Sequence, residues 1–572
     1  MKKLSIIKRM ANAIKVVGCC LLVIGMSSCS DMLETESELV EYEKDNTLNH
    51  TTDSLYSVMG IINKMQIIAD RTVLLGETRG DLMTVTDEAT TDLKRLAAFD
   101  FSVENKYNQV SDYYAVINNC NYFLAHVDTA MQRRGRHLFS NEYAAVKGFR
   151  AWTYLELVKA YGEVPLVTEP LMTEREAAAA VAGPKAGIKE VCDYFINDLT
   201  PYAYVDMPVY QSIGSRPSDK FFIPTRALLG DLCLWAGRYE EAAKWYSDYL
   251  NDKKAYVKIN YGNRVRWENP TVYTSPRGQF NVDGDEELLG IIPMETRIFD
   301  GTISDLDNIM TSTRENRYFF QLQPSRGMRQ LSASQVYCIE YKTEISTDTI
   351  YVPKTGMSDE LLVGDLRLNS VYRLTSRGSQ DPYEEYSSVS QSISKLSRNS
   401  ITTYRSPMVY LRFAEALNRA GYPQSAMLIL KYGLCKENAQ LYVDSVEYAA
   451  SKQYINFYEI EFTRENTIGI HSRGSGDSHS NAYYVLPQPE SQLATRADTV
   501  AYQIPLVEDL IVNEMALEGA FEGYRFYDLM RVALRRDDPA YLANPISQRE
   551  GTVDEALRSL LMDKSNWYLP LP

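Results

Sequence analysis

Two segments of the chain share a spacing of small, turn and large residues that is typical of two packed antiparallel helices. Each has a small residue, a glycine seven positions later, an alanine five positions after that and a large residue four positions further on: Gly230, Gly237, Ala242 and Tyr246 in one, and Ala414, Gly421, Ala426 and Leu430 in the other. The glycine ends the first helix, and the small residues let the two backbones approach closely. The spacing predicts two tetratricopeptide-like helical hairpins, separated along the sequence by a large insertion.

The remaining periodicity predicts a mainly α-helical protein with an irregular second half. Apolar residues recur every three or four positions over about 53–250 and again around 505–535, which indicates amphipathic helices. Between them, roughly 255–400 is rich in Tyr, Thr, Ser, Asn and Pro, with short β-prone runs at Leu288–Ile292 and Val336–Tyr341. The fold class expected is therefore a tetratricopeptide-like scaffold carrying a long, loop-rich C-terminal half with short strands.

The first 28 residues have the organisation of a bacterial export signal. Positive charges precede the apolar run Val16 to Gly25, which is too short to span a bilayer and ends in small residues before Cys29. This pattern predicts a lipoprotein signal with Cys29 as the acylated residue; Cys19 and a plain signal peptide are the alternatives. The following acidic stretch, 29–45, is expected to be an extended tether between lipid and folded body.

The charge balance excludes general nucleic-acid binding. The chain carries 60 Lys and Arg against 75 Asp and Glu, a net charge of −15, whereas phosphate neutralisation requires clustered cations. The cysteines beyond the signal segment are odd in number and irregularly spaced, so they favour buried thiols over a disulfide framework or a zinc site. They are Cys120, Cys192, Cys233, Cys338 and Cys435.

Four segments, in order along the chain, carry a family resemblance. They are EYAAVKGFRAWTYLELVKAYGEVPLV, YLRFAEALNRAGYPQSA, ALEGAFEGYRFYDLMRV and the final WYLPLP. Together they resemble the SusD/RagB outer-membrane nutrient-binding lipoproteins. The third carries the family's Glu-Gly-x-Arg-x-x-Asp-Leu-x-Arg element, and the last is similar to its Leu-Pro-Ile-Pro element. The matches run in order over nearly the whole chain, so the resemblance implies two regions. Residues 46–255 form the N-terminal helical region. Residues 256–572 form the C-terminal region, which includes a tetratricopeptide-like unit at about 405–435.

The resemblance also implies a function. Members of this family are lipid-anchored on the outer face of the outer membrane, cap a SusC-like TonB-dependent transporter, and deliver oligosaccharides to it. The chain is therefore expected to be a surface glycan-binding lipoprotein, to need no cofactor, and to be no enzyme. Two alternatives stay open: peptide capture in the same architecture, and a tetratricopeptide adaptor that binds only protein partners.

Ligand-binding residues are expected in two regions, the loop after the first helix and the long insertion. Arg79 and Asp81 supply paired polar groups for sugar hydroxyls, and Trp267, Tyr273 and Tyr318 supply aromatic faces. The ligand is expected between residues 77–100 and 260–320. Within the Glu-Gly-x-Arg element, Arg525, Asp528 and Arg531 share one helix face and are interpreted as fold architecture.

No motif in the sequence indicates catalysis or a resident metal ion. Phosphate-binding loops, zinc-protease helices and nucleophile elbows are missing, and none of the many carboxylates is singled out by spacing. His471, Asp477 and His479 lie in one Gly- and Ser-rich stretch that admits a metal site in principle. Its composition favours an ordinary polar loop.

Overall fold

A computed structural model describes most of the chain after residue 50. The described residues are 51–210, 212–213, 216–253, 256–259, 264–267, 276–277, 287–294, 302–311, 320–342, 345–352, 364–377, 388–396 and 399–571. Residues 49–572 form one compact unit. The predicted signal and tether, including Cys29, lie outside the described residues.

Helices dominate the described structure, as the periodicity predicts. They are α1 (Thr51–Glu77), α2 (Thr91–Ala97), α3 (Val110–His126), α4 (Ser140–Tyr161), α5 (Glu174–Val181), α6 (Ile188–Leu199), α7 (Thr225–Trp235), α8 (Tyr239–Leu250), α9 (Leu306–Met310), α10 (Arg326–Ser334), α11 (Arg367–Val371), α12 (Ser406–Arg419), α13 (Pro423–Met427), α14 (Lys436–Tyr442), α15 (Ser445–Ile455), α16 (Ser472–Ser475), α17 (Arg496–Gly519), α18 (Arg525–Arg536), α19 (Ala540–Ser547) and α20 (Glu555–Leu561). A π-helical turn, Leu428–Tyr432, continues α13. Short 3₁₀ turns occur at Thr200–Tyr202, Ser218–Phe221, Ser478–Ser480 and Lys564–Trp567.

The strands are short and pair with one another in antiparallel two-stranded sheets in the described part of the chain. They are β1 (Met83–Val85), β2 (Gln132–Arg133), β3 (Arg136–His137), β4 (Glu163–Pro165), β5 (Lys185–Gly187), β6 (Ser212–Ile213), β7 (Arg216–Pro217), β8 (Arg266–Trp267), β9 (Pro276–Arg277), β10 (Leu288–Pro293), β11 (Leu322–Pro324), β12 (Tyr337–Lys342), β13 (Thr347–Val352), β14 (Tyr372–Arg377), β15 (Ser388–Ile393) and β16 (Ser400–Arg405). Cys338 also forms a parallel bridge with Gly476. The two β-prone runs of the insertion are confirmed as β10 and β12, and β10 is buried along its whole length.

Both predicted helical hairpins form, and the first shows why the repeat has its spacing. A Cβ on Gly230 of α7 would lie only 2.4 Å from the Tyr246 ring of α8, so the small and large positions of the repeat are in direct contact. The turn glycines Gly237 and Gly421 have φ of +77° and +93°, which favours glycine. The two hairpins pack directly through α8 and α12, although a long insertion separates them in sequence. The row α3, α4, α6, α7, α8, α12, α17 is therefore continuous in space.

A cluster of buried ionic side chains joins the insertion to the C-terminal helices. We refer to it as the central ion network; its members are Glu287, Asp365, Arg367, Lys395, Arg405, Arg473, Glu514, Glu518 and Glu522. The Gly- and Ser-rich stretch around 471–478, expected as an ordinary polar loop, lies in this interior. It is buried because Arg473 forms a two-bond pair with Glu287, at 2.7 and 3.0 Å.

The end of α1 makes an unusually close approach to the turn before α18. A Cβ on Gly76 would lie 1.8 Å from the Gly523 carbonyl oxygen, and Gly523 has φ of +93°. The Gly523 amide donates to Glu77 Oε1 at 2.9 Å. Both glycines are therefore required by close backbone contact, which explains the Gly of the Glu-Gly-x-Arg element.

Glu77 gives the protein a testable pH dependence. Burial raises the pKa of this carboxyl from 4.5 to about 7, although the Gly523 amide opposes the rise. Between these two values the folded state binds a proton that the unfolded state has lost, so the Glu77 contribution to stability falls as pH rises. We expect Glu77→Gln to lose less stability than the parent protein between pH 5 and pH 8, measured by urea unfolding at each pH. Parallel pH profiles for the two proteins would contradict this assignment.

Two further observations complete the fold. The five cysteines predicted as buried thiols are free and buried. Among the described residues, no helix is long and apolar enough to cross a membrane.

Candidate functional site

The structure places Arg79 and Asp81 in the protein interior, which corrects the expectation that they face a ligand. Arg79 is 0% exposed, and its guanidinium donates to the carbonyls of Leu75 and Trp567 and to the Tyr527 hydroxyl, at 2.8 to 3.0 Å. Asp81 is buried in a two-bond pair with Arg525, at 2.5 and 2.9 Å. These charges are satisfied by the fold, so neither side chain is available to a ligand in this conformation.

The Glu-Gly-x-Arg element has the architectural role that its spacing indicated. Asp528 pairs with Arg531 at 3.0 Å along one face of α18, while Arg525 turns to Asp81. Arg531 also pairs with Glu415 of α12, at 2.5 Å. The element therefore connects α18 to the second helical hairpin and to the loop after α1.

The aromatic residues predicted in the insertion are only partly accounted for. Trp267 lies in β8, where its backbone pairs with Pro276. Tyr273 and Tyr318 lie outside the described residues. The two regions expected to flank the ligand come together at residue 320, where the Thr86 hydroxyl donates to the Phe320 carbonyl. Just beyond that residue β1 pairs with β11, with Met83 opposite Pro324. A ligand-binding role for the three aromatic residues stays a prediction.

The three side chains considered for a metal site turn to different partners. His471 Nδ1 lies 2.9 Å from Glu514 Oε2, and its ring stacks on Tyr484. Asp477 pairs with Arg264 at 2.9 Å, and His479 lies 3.1 Å from a Glu340 oxygen. In the described part of the chain, no group of three or more His, Cys, Asp or Glu side chains has the arrangement of a metal site.

The largest of the cavities that we describe is a groove of about 940 Å³ at the start of the insertion. We name it the Tyr256 groove. It lies between the loop before β6, the first turn of α7, the end of α8 and the start of the insertion, and this volume is at the upper end of small-molecule sites. Its lining residues are Ala203, Val205, Asp206, Met207, Val209, Asp219, Lys220, Phe222, Pro224, Thr225, Arg226, Tyr249, Asp252, Tyr256, Val257, Lys258 and Leu289.

Aromatic side chains form part of the groove wall. Tyr256 is half-buried, and its ring stacks on Tyr458 with centroids 5.6 Å apart and planes 7° apart. Phe462 meets the Tyr256 ring edge-on at 5.8 Å, which fixes the ring orientation. Tyr249 is also half-buried. Burial raises the pKa of both tyrosine hydroxyls above the ordinary value, so both rings are neutral at physiological pH.

Three charged groups of the groove, on Arg226, Asp252 and Lys220, are held by the fold. Arg226 forms an ion pair with Asp252 and donates to the Asp248 carbonyl at 2.8 Å. Its guanidinium carbon lies 5.2 Å from the centre of the Tyr204 ring. Lys220 donates to the Leu288 carbonyl at 2.7 Å. Rigid polar groups beside aromatic faces suit a neutral ligand rich in hydroxyl groups.

Sequence reasoning did not identify this groove, because its residues come from several short segments between 203 and 289 that no single periodic pattern links. Tyr249 stands in a helical pattern, where an aromatic residue indicates core packing. Tyr256 lies just after the first helical hairpin, where helical periodicity ends. The one available signal was that change of composition near residue 255, which marks where the irregular insertion leaves the scaffold.

No protein-family model matches the sequence, and neither does any curated protein. Solved structures do match. A SusD superfamily protein from Bacteroides vulgatus aligns with a TM-score of 0.55 at 13% identity, covering 91% of this chain and 96% of that one. A SusD homolog from Bacteroides thetaiotaomicron aligns with a TM-score of 0.55 at 16% identity, covering 93% and 96%.

A third structure, described as a SusD-like carbohydrate binding protein from Bacteroides vulgatus, aligns with a TM-score of 0.51 at 15% identity, covering 85% and 84%. At these identities the likeness establishes the fold. The chain has the SusD fold over nearly its whole length, as its sequence resemblance implied.

Proposed function

We propose that this SusD-fold chain is a nutrient-binding protein that captures oligosaccharides in the Tyr256 groove. The observation that carries the proposal is the groove itself: aromatic faces and fixed polar groups line a cavity of about 940 Å³. The SusD fold adds support, since one structure that shares it is described as carbohydrate-binding. The protein acts by binding and release rather than by catalysis.

The proposed setting is the bacterial cell surface. Cys29 carries the lipid anchor, residues 29–45 form the tether, and a SusC-like TonB-dependent transporter receives the ligand. The extended row of helix pairs offers a docking face for that transporter. Because release must follow capture, modest affinity suits the task, with dissociation constants of micromolar to millimolar, or about −8 to −4 kcal/mol.

The groove assignment is tested by Tyr256→Ala. We expect this variant to bind its oligosaccharide about tenfold more weakly, because it loses a stacking face worth roughly 1 kcal/mol or more. Calorimetry with a panel of neutral oligosaccharides identifies the ligand and measures the change. Tyr502→Ala is the matched control, since Tyr502 is 39% exposed on α17 and does not line the groove.

Two results would contradict the proposal. Equal affinity of the Tyr256 and Tyr502 variants would remove the groove as the binding site. If the protein bound no oligosaccharide of the panel but did bind peptides from a protein digest, its function would be peptide capture. The surface location is tested separately by protease treatment of intact cells, where survival of the protein would favour an internal adaptor.

A further inference from the structure

A second cavity, of about 250 Å³, lies between α3 and α5 and differs from the Tyr256 groove in being almost wholly apolar. We name it the α3–α5 cavity. Its walls come from α3, from the segment that follows β4, and from α5. The apolar lining residues are Val110, Ile117, Pro165, Val167, Leu171, Ala177, Ala180, Val181 and Leu571.

Three of the polar side chains in the walls, those of Tyr114, Asn118 and Asn121, are already engaged by the protein backbone. The Tyr114 hydroxyl donates to the Pro165 carbonyl at 2.8 Å. Asn118 exchanges two hydrogen bonds with the Leu171 backbone, at 2.9 and 2.7 Å. Asn121 donates to the carbonyls of Val167 and Glu169, both at 3.1 Å. The cavity therefore favours an apolar occupant, because these groups have little capacity left for a polar one.

The α5 wall is a helix that contributes no buried side chain. Its N-terminus is held by a capping box between Thr173 and Glu176, and Val181 at its other end is 65% exposed. Only the small side chains of Ala177 and Ala180, with Val181, turn toward the cavity. Because alanine methyl groups cannot fill the space, the wall has unused apolar surface, and an occupant that covered it would be stabilising.

A single cation stands among the lining residues of this cavity. Lys185 is exposed, and the pairing of β5 with β4 fixes its backbone opposite Pro165. No carboxylate of the described residues lies within ion-pair distance of its ammonium group. An apolar cavity beside an ammonium group is complementary to an amphipathic anion.

We propose that the α3–α5 cavity binds the alkyl chain of a medium-chain carboxylate, with the head group paired to Lys185. A cavity of about 150 Å³ holds benzene, a six-carbon molecule, so 250 Å³ corresponds to about ten carbons. This site is independent of oligosaccharide capture, since the α3–α5 cavity and the Tyr256 groove share no lining residue.

Calorimetry on the full chain with straight-chain carboxylates from hexanoate to tetradecanoate tests the proposal. We expect the dissociation constant to fall about fourfold for each added methylene up to about ten carbons, and then to level off. No binding at any chain length would overturn the proposal. The Tyr256→Ala variant should bind decanoate as the parent protein does, which separates this site from the oligosaccharide site.

Cavity-filling variants locate the site. Ala180→Phe should weaken decanoate binding at least tenfold, whereas Ala179→Phe, on the exposed side of α5, should leave it unchanged. Ala177→Leu is a second filling variant, and melting temperatures check that each protein is folded. Lys185→Gln should bring decanoate affinity down to that of decanol. Equal binding by the two phenylalanine variants, or equal decanoate affinity without Lys185, would overturn the assignment.

Discussion

Replacing Glu518 with alanine is expected to destabilise the protein by about 3–5 kcal/mol, because it removes the carboxylate shared by three buried arginines. Glu518 is 0% exposed and accepts from Arg405, Arg367 and Arg473, at 2.5, 2.9 and 3.1 Å. Burial acts to raise the pKa of Glu518, but Arg473, Arg405 and Arg367 hold it well below its usual range. The variant leaves their positive charges buried with one counter-ion fewer.

Urea unfolding of the variant and parent proteins measures this loss. Glu555→Ala is the control, since Glu555 is exposed and pairs with Arg558 at 3.4 Å on the helix surface. It should change stability by no more than about 0.5 kcal/mol. Equal effects of the two substitutions would show that the central ion network contributes little to stability.

The second large effect is expected for Arg79→Ala, at about 3 kcal/mol or more. The substitution leaves the Trp567 carbonyl and the Tyr527 hydroxyl without their donor. It also removes a guanidinium that packs 4.2 Å from the centre of the Phe526 ring, which leaves a cavity. Arg79→Lys should recover only part of the loss, because an ammonium cannot reproduce the planar fork.

Stability and binding must be measured together for Arg79. Arg95→Ala is the control, because Arg95 is about one-third exposed and lies 3.7 Å from its partner Asp100. The structure predicts that the folded fraction of Arg79→Ala retains full affinity for its ligand. If Arg79→Ala kept its stability but no longer bound the ligand, Arg79 would belong to the ligand site after all.

The sequence predicted the helical hairpins because their contacts are local. Gly230 and Tyr246 touch within one hairpin, so their spacing carries the geometry of the contact. The Asp528–Arg531 pair is likewise set by helical periodicity. Each of these contacts joins residues that one regular element, or one tight turn, places side by side.

Long-range contacts explain what the sequence could not predict. The sequence predicts that Arg79 and Asp81 face a ligand, because nothing near them in sequence indicates their actual partners. Those partners, Trp567 and Arg525, are 488 and 444 positions away. A Gly- and Ser-rich composition likewise indicated a surface loop at 471–478, whereas Arg473 draws that segment to Glu287. Charge compensation between distant segments leaves no trace in local periodicity.

The contact between Arg79 and Trp567 also affects the order in which parts of the protein can finish folding. Leu569 donates its amide to the Ala160 carbonyl at 2.9 Å, and Asn108 donates to the Pro570 carbonyl at 3.1 Å, so residues 567–570 close the packing of the N-terminal helices. During synthesis residues 567–570 appear after the N-terminal helices that they cover, and contacts of such sequence separation form slowly. Until these contacts form, the N-terminal helices lack these packing partners, and incompletely packed states of this kind are prone to aggregate.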